Sequence, residues 1–297
     1  VDGGGTVVVL PKLLFPLLGD LGLPSSVELG IAYYGFMACL AIFCTNAINI
    51  LAGVNGLEAG QSVVIALTML VNNGIQLWRW PDGPLHDNNL FSLCARARAR
   101  PPTRMRLIAR SLSRRYLLLP FLAVSCALLR HNWFPAKVFV GDTYCYFAGM
   151  TFAVAAILGH NTKTVLLFFV PQLVNFAYSF PQLLRVVPCP RHRMPGYLAA
   201  TNQLTMSFAD FDLAELPSLG RLVVRACRAL RLAHVEELPG GRTRISNLTI
   251  INYALYKLGP MREDRLTAVL LAVQAACSAA ALLVRYQLAG LLYDVVR

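Results

Sequence analysis

The chain of 297 residues is 56% hydrophobic and only 14% charged, with a mean hydropathy of +0.55 and a formal net charge of +12. Soluble domains of this length rarely carry so little charge, so the composition points away from them and toward an integral membrane protein. The arginines gather in blocks between apolar runs with no aromatic-basic recognition motif, so they read as orientation signals and lipid headgroup contacts, and no nucleic acid is expected as a partner.

The chain opens Val1-Asp2-Gly3-Gly4-Gly5, without methionine or signal peptide, and the expectation is that a first part precedes it. Residues 6–18 are β-branched and interrupted by proline, which predicts an extended segment or hairpin. A bilayer core takes about twenty apolar residues per helix. Six runs are read as spans: 29–50, 61–77, 116–129, 143–159, 164–184 and 266–288. The run 116–129 is short and holds Pro120, and 61–77 is weakened by Asn72 and Asn73. The expected fold is thus an all-α polytopic membrane protein of about six transmembrane helices with a small extramembrane insert before the last. On this reading residues 1–184 hold helices and the polar loops between them, 185–265 form the insert, and 266–297 hold the last helix and tail.

Two basic regions interrupt the spans. Residues 96–115 form an arginine-rich insertion containing Pro101-Pro102. In 185–265, arginines alternate with leucine and valine at helical spacing over 221–235, which predicts an amphipathic helix lying on the membrane. With six spans, the loops after the first, third and fifth share one face. These loops hold the least ordinary polar residues of the chain, so a single site is expected there. The positive-inside count does not choose the compartment, because arginine-rich segments load both faces. The eight cysteines form no CxxC pair, and five lie in apolar segments, so neither a disulfide framework nor a zinc site is expected.

The first of the polar loops, NAINILAGVNGLEAG, places Asn46 and Asn49 three residues apart on one helical face near a membrane end. Amides at that depth are costly unless hydrogen-bonded or coordinated. Gly53 and Asn55-Gly56 signal a tight turn ahead of Glu58. Such a loop suits a uracil edge or a phosphate; for any one asparagine, capping or interhelical bonding explains as much. In the second loop, Asp142 follows Phe139-Val140-Gly141 and precedes an apolar run. It reads either as a helix cap or as a Mg²⁺ ligand, since Mg²⁺ is usually held by one or two carboxylates plus substrate phosphates. Lys137 would attract the same anion. In the third, Arg191-His192-Arg193 lies between prolines that exclude a regular helix, and its guanidinium forks match phosphate oxygens or lipid headgroups. Asn247-Leu248-Thr249 is a glycosylation sequon on the face of the site, expected to stay unused if that face is cytosolic. His131 and His160 match no metal motif. Gln172, Asn175 and Gln182 read as packing groups rather than as a lipid groove.

Three segments, FCTNAINILAGVNGLEAGQS, HNWFPAKVFVGDTYCYFAGMTFAVAAILGH and PQLLRVVPCPRHRMP, closely resemble the polyprenyl-phosphate sugar-1-phosphate transferases, glycosyltransferase family 4, in their eukaryotic form. The terminal VRYQLAGLLYDV is similar as well, and the likeness spans nearly the whole chain except 96–115 and the middle of 185–265. The resemblance implies a multi-pass enzyme of the endoplasmic reticulum membrane with its site facing the cytosol. It implies transfer of GlcNAc-1-phosphate from UDP-GlcNAc to dolichyl phosphate with release of UMP, which opens lipid-linked oligosaccharide synthesis for protein N-glycosylation. By the same resemblance Asn49 and Asp142 bind Mg²⁺, Asn55 and Phe139 hold uracil, and Arg191, His192 and Arg193 contact the diphosphate and sugar. Asn46, Gly53 and Glu58 complete the expected substrate site, and a homodimer is the assembly the family suggests.

One departure accompanies it. The family carries an adjacent aspartate pair and a lysine in an earlier loop, and here the only carboxylates ahead of the first span are Asp2, Asp20 and Glu28. The expectation is an N-terminally truncated chain with impaired turnover, belonging to a longer, active product. The alternatives are a transferase using another polyprenyl phosphate or a muramoyl-pentapeptide donor, a non-catalytic membrane partner, and a transporter. The long insert after PRHR favours the eukaryotic type, and polar clusters at span ends disfavour a transporter.

Overall fold

The computed structural model describes residues 7–9, 26–79, 117–159, 161–189, 193–239 and 241–288. Val7–Val9 (β1) pairs antiparallel with Ser26–Glu28 (β2), so the opening stretch is extended where it is described. The helices that follow are Ile31–Ile50 (α1), Leu57–Arg79 (α2), Leu118–Asn132 (α3), Gly141–Leu158 (α4), Thr162–Phe168 (α5) and Val170–Leu183 (α6). The last long helix, Glu263–Leu283 (α9), runs on through a π-turn at Val284–Leu288.

Among the described residues, two helices are long and apolar enough to cross a membrane, Ile31–Ile50 and Glu263–Leu288, or three if the bent α5–α6 pair is one span. The other expected spans form helices but miss that standard. Helix α3 is short, α2 buries Gln61, Ser62, Asn72, Asn73 and Gln76, and α4 opens on Gly141-Asp142-Thr143. Helix α1 carries no charge and buries a single stripe of Met37, Leu40, Cys44, Ala47 and Ile48, at the spacing of one helical face. Its other sides expose Ile31, Tyr34 and Ile42, as a lipid-facing helix does.

The run 164–184 is not one straight helix. It breaks at Phe169 with a bend of 65°, where Pro171 enters the first turn of α6. Proline has no N–H to give and its ring clashes with the preceding turn, so the ladder must open there. The freed Phe168 carbonyl accepts from Gln274 Nε2 of α9 at 2.8 Å. Around the break, Phe152, Phe168 and Phe169 are fully buried; Phe152 and Phe169 meet edge to face, with Phe121 joining through Phe152.

The segment between α6 and α9 departs from the all-α expectation. Gly196–Leu198 (β3) and Gln203–Thr205 (β4) form a hairpin. Phe208–Asp212 (β5), Val235–Glu237 (β6) and Arg242–Ser246 (β7) form an antiparallel sheet in the order β5-β7-β6. Ser218–Ala229 (α7) packs on this sheet, and Ile250–Leu258 (α8) leads to α9. Arg244 meets Asp210 directly across the strands with two bonds of 2.7 and 2.8 Å, which holds the Asp210 carboxyl below its usual range. The strands are three to five residues long, too short for a composition reading to separate them from loop.

Helices α1 and α4 approach so closely that a Cβ on Gly149 would sit 2.2 Å from the Cys44 carbonyl oxygen. Small residues at membrane helix contacts allow this approach. Gly149→Ala is therefore expected to destabilise the bundle by about 1–3 kcal/mol through overpacking, read as a lower melting temperature in detergent. Gly74→Ala, where nothing lies within 4 Å of the new Cβ, should leave it unchanged or raised.

Candidate functional site

A helix that stops inside a bundle leaves carbonyls that need partners. Helix α1 ends at Ile50, and side chains from two other helices complete it. Gln61 Nε2 donates to the Ile48 and Leu51 carbonyls at 3.0 and 2.9 Å, and Asn175 Nδ2 donates to the Ile50 carbonyl at 3.1 Å. With its end satisfied, the chain turns sharply through Gly53 at φ +120° and Gly56 at φ +83°, backbone shapes that favour glycine.

The turn is pinned on both sides. The Asn55 N–H donates to Glu263 Oε1 at 2.7 Å, and the Asn55 carbonyl accepts from Thr267 Oγ1 at 2.8 Å. The Gly56 N–H donates to Asn132 Oδ1 at 2.8 Å, while Asn132 Nδ2 donates to the Val138 carbonyl at 3.0 Å. One buried asparagine therefore joins the loop before α2 to the loop before α4. The N-terminal ends of α2 and α4 consequently open on the same space.

That space is a cleft of about 240 Å³, lined by Asn49, Ala52, Gly53, Glu58, Phe139, Gly141, Asp142, Cys145 and Met194. Residues from all three polar loops meet in it. Glu58 and Asp142 stand in the first turns of α2 and α4. The position ahead of α4 is Val140, no side chain caps that end, and Asp142 projects into the cleft. Glu58 lies against its own N–H and that of Gly53. Phe139 is 87% exposed, an aromatic ring held out beside the two carboxylates.

Of the residues singled out in the sequence, Asn49, Gly53, Glu58, Phe139 and Asp142 come together here. Asn46 does not line the cleft. Its Nδ2 donates to the Ile42 carbonyl one turn back at 2.7 Å, the local bonding that was the plainer reading of a single asparagine. Asn55 contributes its backbone to the pinning of the turn and does not line the cleft either. Arg193 donates through Nη2 to Gln182 Oε1 at 3.3 Å, and Arg191 and His192 lie outside the described residues, as do 96–115 and His160. Asn247 of the sequon is fully buried and donates to Ser207 Oγ at 2.7 Å, so its amide offers no acceptor for a glycan.

Sequence reasoning missed Cys145 and Met194 in the lining. Cys145 was findable, because it follows Asp142 by three residues on one helix. Glu263 and Thr267, which hold the turn from more than 200 residues away, gave no local signal.

The lining offers oxygen donors: the Asn49 carboxamide and the Glu58 and Asp142 carboxylates. Among the described residues no group of three His, Cys, Asp or Glu side chains could hold a metal alone. This donor set fits a hard cation that shares its coordination with a bound ligand, as Mg²⁺ does, and does not fit a closed zinc site.

Comparison with known proteins matches residues 4–160 to the family described as glycosyl transferase family 4. The chain is 44% identical over 297 residues to the UDP-N-acetylglucosamine–dolichyl-phosphate N-acetylglucosaminephosphotransferase of Schizosaccharomyces pombe, covering 99% of this chain and 61% of that protein. It is 42% identical to the Saccharomyces cerevisiae protein of the same name, covering 99% and 60%. It is also 26% identical over 243 residues to the phospho-N-acetylmuramoyl-pentapeptide-transferase of Pelotomaculum thermopropionicum, covering 74% and 61%. The chain thus spans about three-fifths of the length of these relatives.

Gln182 ties both ends of the RHR loop to the sheet unit. Its Nε2 donates to the Pro188 carbonyl and to Asn247 Oδ1, and its Oε1 accepts from Arg193 and from the Leu248 N–H. Gln182→Leu strands these buried groups and is expected to cost about 2 kcal/mol or more. Hydrogen exchange at the Leu248 amide should quicken at least about ten-fold on the same scale; an unchanged rate would remove Gln182 as the anchor.

Proposed function

Because this chain belongs to glycosyl transferase family 4, we propose that it forms part of a membrane phosphotransferase that moves GlcNAc-1-phosphate from UDP-GlcNAc to dolichyl phosphate. The products are GlcNAc-diphosphodolichol and UMP, the first step of lipid-linked oligosaccharide synthesis for protein N-glycosylation. The observation that carries this reading is the meeting of Asn49, Glu58, Asp142 and an outward-held Phe139 in one cleft, beside the ends of apolar helices. The choice of sugar and lipid follows the names of the two fungal relatives, which match 99% of the chain, against 74% for the bacterial pentapeptide transferase. We further propose the endoplasmic reticulum membrane as the location, a cytosol-facing site, and a homodimer.

In the transfer, an oxygen of the lipid phosphate attacks the β-phosphorus of UDP-GlcNAc, the bond to the bridging oxygen breaks, and UMP departs with it. The nucleophile is already an anion, so the work of the protein is to bring two anions together and orient them. Phe139 offers its face to the uracil ring, and Gly53 lets the backbone approach the nucleotide. Asn49 and Asp142 would hold Mg²⁺. When bound, that ion neutralises charge on the diphosphate. Arg193, with Arg191 and His192 of the same loop, would meet the phosphate oxygens and the sugar. The first turns of α2 and α4 present partial positive charge toward the same anion.

The assay is transfer of labelled GlcNAc-1-phosphate into the lipid fraction by membranes containing the chain, alone and completed with the remaining part of the Schizosaccharomyces pombe relative. Transfer that stops on chelation of divalent metal supports the reading; no lipid label from a folded, completed protein would overturn it in favour of a non-catalytic partner. In that assay Asp142→Asn should lower the rate about a hundred-fold or more. Asn49→Ala should lower it markedly, while Asn46→Ala should stay within about two-fold, since that amide serves only its own helix. Phe139→Ala should raise KM for UDP-GlcNAc about ten-fold, the scale of one lost base stack.

A further inference from the structure

Helix α7 presents three different faces. Gly220, Val224 and Cys227 are buried against the sheet unit. Arg221, Arg225 and Arg228, again at one helical spacing, form a second face. The third runs through Leu219, Leu222 and Ala226 to Leu230 just past the helix end, and its leucines are 56%, 63% and 69% exposed. A helix that only covers a sheet in water would carry polar residues on that third face.

Two contacts fix where these leucines sit. A Cβ on Gly220 would lie 2.4 Å from the Val186 carbonyl, so α7 lies flush on the chain leaving α6. The Tyr178 hydroxyl, within α6, donates to the Leu232 carbonyl just beyond α7. Helix α6 itself exposes Val174, Phe176, Phe180 and Leu183, and with α5 it forms the bent candidate span. The end of that candidate span therefore lies beside α7.

From this we propose that α7 docks on the membrane surface, its leucine ridge reaching the acyl boundary and its arginines holding anionic phospholipid headgroups. The charge fits such an occupant. Arg228 pairs with Glu237, but among the described residues Arg225 and Arg231 have no ion-pair partner, and Arg221 reaches only the Ala214 carbonyl at 3.5 Å. Guanidinium forks match phosphate oxygens, and an apolar ridge beside an arginine row is the pattern of an interfacial helix. This surface is distinct from the cleft and needs no catalysis.

The test places the full chain in nanodiscs of phosphatidylcholine, with or without phosphatidylinositol. A photoreactive p-benzoylphenylalanine replaces Leu222, Leu230 or, as a control on the exposed end of β7, Arg242. Lipid adducts at Leu222 and Leu230 should exceed those at Arg242 about five-fold, as expected for partial insertion of the ridge. Phosphatidylinositol should raise the adduct at Leu222 at least about two-fold, and Arg221→Gln with Arg225→Gln should abolish that increase. Adducts to protein alone, or equal lipid adducts at all three positions in a variant with parental melting temperature, would overturn the proposal. An adduct indifferent to phosphatidylinositol would overturn its headgroup half.

Discussion

Everything in the cleft depends on satisfying the carbonyl end of α1 in a place where water is scarce. A helix ending within an apolar bundle exposes carbonyls whose neglect would cost several kcal/mol each. Here the cost is met by amides from distant helices, Gln61 of α2 and Asn175 of α6. Those amides are themselves held. Gln172 Nε2 lies 2.6 Å from Gln61 Oε1 and 2.7 Å from Gln274 Oε1, and Gln274 closes the break between α5 and α6. A chain of three glutamines thus links an early helix, a broken helix and the last helix at two points where the backbone ladder is interrupted. Without it, the Ile48 and Leu51 carbonyls at the end of α1 lose their side-chain partner.

The charge of the cleft follows from the same arrangement. The turn after α1 and the loop after α3 each lead directly into a helix, and both helices carry a carboxylate in the first turn, favourable near an N-terminus. Bringing the two starts together brings Glu58 and Asp142 together, with Glu263 near enough to act on Glu58. Two carboxylates beside the Asn49 carboxamide are the donors that the proposed Mg²⁺ requires, and with that ion in place the proposed diphosphate would meet positive charge there as well as at the two helix starts.

Much of this was legible in the sequence, and the reasons differ by residue. Asn49, Gly53 and Glu58 stood out because polar residues and glycines at the end of an apolar run need a purpose, and Phe139 and Asp142 because they open the next one. Asn46 was grouped with Asn49 by helical spacing alone; spacing fixes a face but not the depth at which a pocket ends, and Asn46 bonds within its own helix. The expected straight span over 164–184 overlooked what Pro171 does to the first turn it enters. The sheet unit escaped because its strands are brief and its stabilising pair, Asp210 and Arg244, lies 34 residues apart. The family resemblance reached the polar loops independently of any of these local rules.

Helix α6 shows why polar residues in an apolar run resist a single interpretation. Gln172, Asn175, Ser179 and Gln182 recur at helical spacing, a pattern that fits a groove lining as well as the packing groups read from the sequence, and all four are buried. In the fold each is consumed by a backbone or side-chain partner: Gln172 by the glutamine chain, Asn175 by the end of α1 and the Ile250 N–H, Ser179 by the Leu248 carbonyl, and Gln182 by the loop and sheet unit. Along the helix, the stripe passes from the glutamine chain to the end of α1 and then to the sheet unit. The sheet unit that carries α7, the loop that carries Arg193 and the end of α1 that carries Asn49 are therefore all bonded to one helix.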